Sequence, residues 1–146
     1  MREHLTAGLA GDNHPVRVTG IDHLVLTVAS IEAAVDFYSR VLGMEVIAFG
    51  QGRTALRLGD QKIDLHAARA PIAPHADRPV PGSADLCLVA VGGIDAAAAH
   101  LAACGVPVEL GPVERAGARG PVRSLYVRDP DRNLVELAFY DGAAGT

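Results

Sequence analysis

From residue 21 the chain alternates apolar and polar positions, with Leu24, Leu26 and Val28 on one side and His23, Val25 and Thr27 on the other. Side chains two apart share a face of a β-strand, and β-branched residues favour that state, so 21–28 is expected to be a strand. The period then changes. Ile31, Ala34, Val35, Tyr38 and Leu42 recur at helical spacing behind Ser30, a good N-cap, and Gly43 supplies the left-handed stop. Three short strands are expected next, at 44–49, 54–58 and 62–67, divided by the turn signals Gly50-Gln51-Gly52 and Gly59-Asp60.

Residues 69–81 carry four of the nine prolines and read as a linker. Behind them the pattern recurs. An alternating strand at 84–90 leads to an Ala-rich helix at 94–104, with Ile94, Ala98 and Leu101 on one stripe and Gly105 as its stop, then strands at 106–110, 122–128 and 134–140. Spacing supports a duplication: His23 to Gly43 spans 20 residues, as does Asp85 to Gly105, and Arg53 to His66 spans 13, as does Arg123 to Glu136. The second half holds eight extra residues between Gly105 and Arg123, within a glycine-rich stretch at 111–120 expected to be a substrate loop or lid. The fold class is α+β, with two tandem βαβββ modules. Residues 1–19 are expected to be a flexible tail and 20–141 one domain, divided into module one (20–68), the Pro-rich linker (69–82) and module two (83–141).

Composition narrows the function more than the fold. At 146 residues and 49% hydrophobic content the chain can bury one core. A net charge of -4 with no basic cluster gives no footprint for nucleic acid or an acidic membrane, leaving a small molecule or a second copy as the expected partner. Cys87 and Cys104 have neither metal-type nor disulfide-type spacing, which suits a reducing compartment. No apolar run is long enough to span a bilayer, and the first 20 residues lack a signal-peptide core, so a cytoplasmic location is the default expectation.

Polar groups inside apolar strands carry the chemistry. His23 and Asp85 open the first strand of each module, while Asp64, His66 and Glu136 interrupt the last strands. Such groups are costly in a half-buried strand unless paired, hydrogen-bonded or bound to a metal. His23, His66, Asp85 and Glu136 therefore form a candidate ligand set of two imidazoles and two carboxylates, suited to Fe(II), Ni(II), Co(II), Mn(II) or Zn(II). Alternatives stand beside each. Glu136 can pair with Arg123 or Arg128, Asp85 can cap a loop, and a two-residue shift of the hairpin would bring Asp64 to the place of His66. Cys87 shares a face with Asp85, and Ser124 and Tyr126 share a face leading toward Glu136, which makes all three candidate substrate contacts. His4, His14, His75 and His100 read as surface or packing residues.

Three stretches carry a resemblance: the string from Asp22 to Val28, the helix end from Phe37 to Met44, and the run from Asp129 to Leu137. Together they resemble the vicinal oxygen chelate superfamily of glyoxalase I, fosfomycin-resistance transferases, extradiol dioxygenases and bleomycin-binding proteins. The stretches 59–66, 81–87 and 128–134 are similar to the glyoxalase domain-containing protein 5 group. The resemblance implies a glyoxalase-like fold whose modules curl a curved mixed sheet around a cleft, commonly in a homodimer. It implies a divalent metal held by His23 and Glu136, with His66 and Asp85 at the two further positions. It also implies an enzyme that stabilises an enediolate or oxyanion, with Glu136 or Asp85 as general base. A non-catalytic drug- or metabolite-sequestering protein is the alternative, and an Fe(II) dioxygenase a weaker one, since Asp85 stands where dioxygenases carry His. Arg132 stands where the superfamily often has Gly in a left-handed turn.

Overall fold

The computed structural model describes residues 13–140. Most of the expected tail, 1–12, and the last residue of module two lie outside them; residues 13–20 are exposed and hold no helix or strand. The order of elements is β1 (His23–Val28), α1 (Ile31–Asp36), β2 (Glu45–Phe49), β3 (Arg53–Leu58), β4 (Gln61–Ala67), β5 (Asp85–Val89), α2 (Ile94–Ala103), β6 (Leu110–Gly117), β7 (Gly120–Arg128) and β8 (Leu134–Tyr140). Four strands make each of two mixed sheets, in the matching orders β1-β4-β3-β2 and β5-β8-β7-β6. In both, the first strand runs parallel to the last and the remaining pairs are antiparallel.

Local signals set the helix ends. The Ser30 hydroxyl accepts from the Ala33 amide at 3.1 Å, satisfying one of the unpaired donors of the first turn of α1. Gly43 and Gly105 sit at φ 74° and 72°, where a side chain would be strained. Behind them the Met44 amide donates to Tyr38 O and the Val106 amide to Leu101 O, both at 2.9 Å. The two helices are not identical, because α1 runs on as a π-helical turn, Phe37–Val41. That extra residue explains the equal spacing. α1 starts eight residues after His23 and α2 nine after Asp85, and the π turn restores the count before the glycine.

One apolar core serves both modules. Leu26 and Val28 of β1, Phe37, Tyr38 and Val41 beyond α1, and Leu56, Ile63 and Leu65 cluster with Leu101 of α2 and with Leu125, Val127, Val135, Leu137 and Phe139 of the second sheet. Polar ties cross the same junction. The Tyr38 hydroxyl donates to Asp129 Oδ2 at 2.7 Å, and His100 donates through Nε2 to Val41 O at 2.9 Å. His100, expected as a surface or packing residue, thus also holds the π turn of the other module. The opposite strand faces point away from this core: His23, Val25, Asp85, Cys87 and Val89 are exposed, while Leu24, Leu26, Leu86 and Leu88 between them are buried or half-buried.

One expectation is corrected. No strand forms over 106–109, and the supposed glycine-rich loop at 111–120 is largely a β-hairpin, β6 to β7, turning at Ala118 and Arg119. Gly111 and Gly117 mark close packing between strands. A Cβ on Gly117 would meet Tyr140 Oη at 2.6 Å, and one on Gly111 would run into the Ser124 carbonyl oxygen beside a bulge between Leu110 and Val113. Composition alone does not separate such glycines from those of a loop.

Candidate functional site

On the open face of module one, the parallel pairing of β1 and β4 sets Asp64 opposite Val25, two residues past His23. In module two the same pairing sets Glu136 opposite Cys87, two residues past Asp85. Asp64 is therefore the positional counterpart of Glu136. His66 lies one step further along β4, opposite Thr27, and its counterpart is Ala138, opposite Val89. The equal 13-residue spacing does not mark equivalent positions: Arg123 pairs with Phe139, and Glu136 pairs with Tyr126. Tyr126 to Glu136 spans ten residues where the equivalent pair Ala55 to Asp64 spans nine, and the extra residue lies in the β7–β8 connection, where the Asp129 carboxylate accepts from the Asp131 amide and the Asn133 side chain.

His23 is held for donation through one nitrogen and acceptance through the other. Its Nδ1 lies 2.8 Å from Asp22 Oδ1, and since a carboxylate only accepts, a ring proton sits there and the neutral ring carries its lone pair on Nε2. Nε2 faces Asp64 Oδ2 at 3.9 Å. Asp64 is 4% exposed. Lys62 Nζ approaches its Oδ1 to 3.0 Å, an ion-pair distance, yet without hydrogen-bond geometry, so that this buried oxygen receives no donor. His66, 8% exposed, meets Arg53 Nη2 at 3.5 Å through Nε2. A guanidinium only donates, so this contact occupies the His66 lone pair.

Module two gathers a different set. Ser124, fully buried, donates to Glu136 Oε2 at 2.7 Å. Cys87 lies opposite Glu136, and partial burial followed by the nearby carboxylate pushes its thiol up to about 11. It is a protonated donor at neutral pH, not a thiolate ligand. The Tyr126 hydroxyl accepts from Arg115 Nε at 3.0 Å, and burial raises the phenol above its ordinary value despite the arginine. Ser124, Tyr126 and Cys87 are thus brought together around Glu136. Asp85 sits exposed at the start of β5, opposite Leu134, with the Arg128 guanidinium in its field.

Among the described residues no three His, Cys, Asp or Glu side chains gather closely enough to hold a metal ion. His23, His66, Asp85 and Glu136 stand as two half sites on faces that both turn away from the shared core. The module-one half fits a divalent cation on two counts: an imidazole nitrogen 3.9 Å from Asp64 Oδ2, and a buried carboxylate whose Oδ1 faces the Lys62 ammonium without accepting a hydrogen bond. Asp22, Arg53, Lys62 and Arg115 were missed in the sequence reading. Lys62 was legible, since it shares a strand face with Asp64 and His66; Arg115 was hidden in the supposed loop.

Residues 20–137 match the model of the Glyoxalase/Bleomycin resistance protein/Dioxygenase superfamily. The chain is 51% identical over 126 residues to the glyoxalase domain-containing protein RDO1 of Mycosarcoma maydis, covering 86% of this chain and 71% of that protein. It is 47% identical over 120 residues to the virulence protein STM3117 of Salmonella typhimurium, covering 82% and 83%. The crystal structure of STM3117 superposes with a TM-score of 0.84, covering 86% of this chain and 99% of that one at 45% identity. A lactoylglutathione lyase from Agrobacterium tumefaciens matches at a TM-score of 0.63 and 25% identity, over 88% of this chain and 98% of the other.

Proposed function

Because this chain belongs to the glyoxalase/bleomycin resistance protein/dioxygenase superfamily, we propose that it is a metal-dependent enzyme acting on a small substrate with two neighbouring oxygens. The observation that carries this reading is the approach of His23 Nε2 to Asp64 Oδ2, 3.9 Å apart, on a buried carboxylate whose Oδ1 accepts no hydrogen bond, in the register position that Glu136 occupies in module two. Lys62 balances charge at Oδ1 without a hydrogen bond, and a divalent cation held by His23 and Oδ2 would complete the compensation of this buried carboxylate. The similarity to a lactoylglutathione lyase supports the same direction.

His23, Asp64 and Glu136 would hold the ion, a divalent nickel, cobalt, zinc, iron or manganese, with Asp85 as the further donor and His66, its Nε2 turned to Arg53, beside it. The ion would supply Lewis-acid stabilisation of negative charge on adjacent substrate oxygens. Glu136 acts as the general base. Its Oε2 is engaged by Ser124, which fixes the carboxylate plane and leaves Oε1 for a proton on the carbon next to a carbonyl. Tyr126 and Cys87 keep their protons and donate to substrate oxygens. Both half sites face outward, so module one of one protomer meets module two of a second copy, and the working unit is a homodimer. Free Cys87 and Cys104 suit a reducing, cytoplasmic setting.

Equilibrium dialysis against nickel, cobalt, zinc and manganese, followed by elemental analysis, tests the proposal together with turnover of the methylglyoxal–glutathione hemithioacetal. Stoichiometric metal and metal-dependent turnover of this or a related substrate are expected. A second reading, sequestration of a small molecule without metal, is favoured by the absence of any three-donor group among the described residues. Ligand affinity that is unchanged by a chelator would select it.

A further inference from the structure

Beside the metal half site lies a cationic patch that the mechanism above does not use. Arg53 Cζ sits 4.8 Å and Lys62 Nζ 3.9 Å from the centre of the Phe49 ring. Lys62 is matched by Asp64 at 3.0 Å. Arg53 has no such partner: its guanidinium touches the Phe49 ring and the accepting nitrogen of His66, both uncharged, and no carboxylate among the described residues pairs with it. Arg57, in register between Glu45 and Lys62, forms no ion pair among the described residues. On a chain of net charge -4, this concentration of positive charge on one strand face stands out.

A half-buried guanidinium braced by an aromatic ring, with most of its N–H fork unengaged, is prepared for a planar or tetrahedral oxyanion. Its place is also suitable. Arg53 lies at the level of His66, which shares a strand face with Asp64 two residues away, roughly 6.6 Å along β4. We propose that Arg53, supported by Phe49 and Lys62, binds an anionic group of the substrate, a carboxylate, phosphate or phosphonate, one short chemical step from the oxygens that face Asp64. The substrate is then a small anion. This rests on the metal-dependent reading for the identity of the bound molecule as a substrate; the anion site itself does not.

The test uses the full chain stripped of metal and then dialysed free of chelator, titrated with inorganic phosphate and, separately, acetate at constant ionic strength, while the arginine Nε–Hε and backbone amide signals are followed by NMR. Saturable displacement of the Arg53 signal and of the backbone amides around it is expected, with the affinity read from those amides at least tenfold weaker in Arg53→Gln and intermediate in Arg53→Lys. Arg40→Gln, which removes a surface arginine paired with Asp36, should leave it unchanged. Equal affinity in wild type and Arg53→Gln, or no saturable response, overturns the proposal; the latter is also the result if a carboxylate of a second copy fills the site. Circular dichroism identifies an unfolded variant, and Arg53→Lys then decides. Metal uptake by dialysis is read independently: phosphate binding retained in a protein that takes up no metal upholds the anion site and rejects the enzymatic reading.

Discussion

Asp64 and Glu136 are register twins: each stands on the last strand of its module, opposite the residue two places after that module's opening polar side chain. Two carboxylates, not a histidine and a carboxylate, thus occupy the duplicated position.

Asp64→Asn is therefore expected to weaken metal binding by at least about tenfold, and His66→Asn to leave it within about threefold, because the His66 lone pair is already engaged by Arg53. Dialysis with elemental analysis on both variants measures this. The reverse order would return the ligand role to His66.

Glu136→Gln keeps an oxygen that can accept from Ser124 but removes the base. Turnover is expected to fall about 10²–10⁴-fold with little change in Tm. Equal loss of both would make Glu136 a structural residue. Ser124→Ala, by contrast, deletes a fully buried donor to that carboxylate and is expected to cost about 1–3 kcal/mol of stability, read by urea unfolding.

Cys87, although exposed, should be a slow thiol. With its pKa at about 11 only a small fraction is thiolate at pH 8, and alkylation by iodoacetamide should rise toward pH 11. Part of the shift comes from the Glu136 charge, so Glu136→Gln should lower the Cys87 pKa and speed its alkylation at pH 8. Mass spectrometry of the labelled peptide reads both. An unchanged rate would mean burial alone sets the value.

Arg132 stands at φ 70°, the left-handed region, in the turn between β7 and β8. Its contact to Arg128 runs through its own carbonyl, which glycine retains. Arg132→Gly should therefore stabilise the fold by about 0.5–1 kcal/mol in urea unfolding, the relief of side-chain strain exceeding the added freedom of the unfolded chain. A loss of stability would show that the arginine side chain contributes more than the turn costs.

Strand faces were the most legible part of the site. Period-two alternation separated His23 and Asp85 from the leucines, and Ser30, Gly43 and Gly105 marked helix ends through local chemistry that needs no tertiary context. Register was not legible, because it depends on the length of the connection after β3 or β7, and one residue more in the second module turned an equal spacing into a false equivalence between His66 and Glu136. The β6 strand was hidden for a similar reason: Gly111 and Gly117 are required by contacts with Ser124 and Tyr140 that lie far away in sequence. The Tyr38–Asp129 and His100–Val41 ties crossed modules and carried no local signature at all.

The shared core gives the two sides of each first strand separate duties. Inward residues such as Leu26 and Leu88 answer to packing, whereas outward ones such as His23, Val25, Asp85 and Cys87 stand exposed and free of that demand. A donor on the outward side can be exchanged for another without repacking what lies behind it, as His23 and Asp85 at matching positions illustrate. The scaffold is in this sense a fixed frame with interchangeable ligands, and its chemistry can diverge faster than its shape.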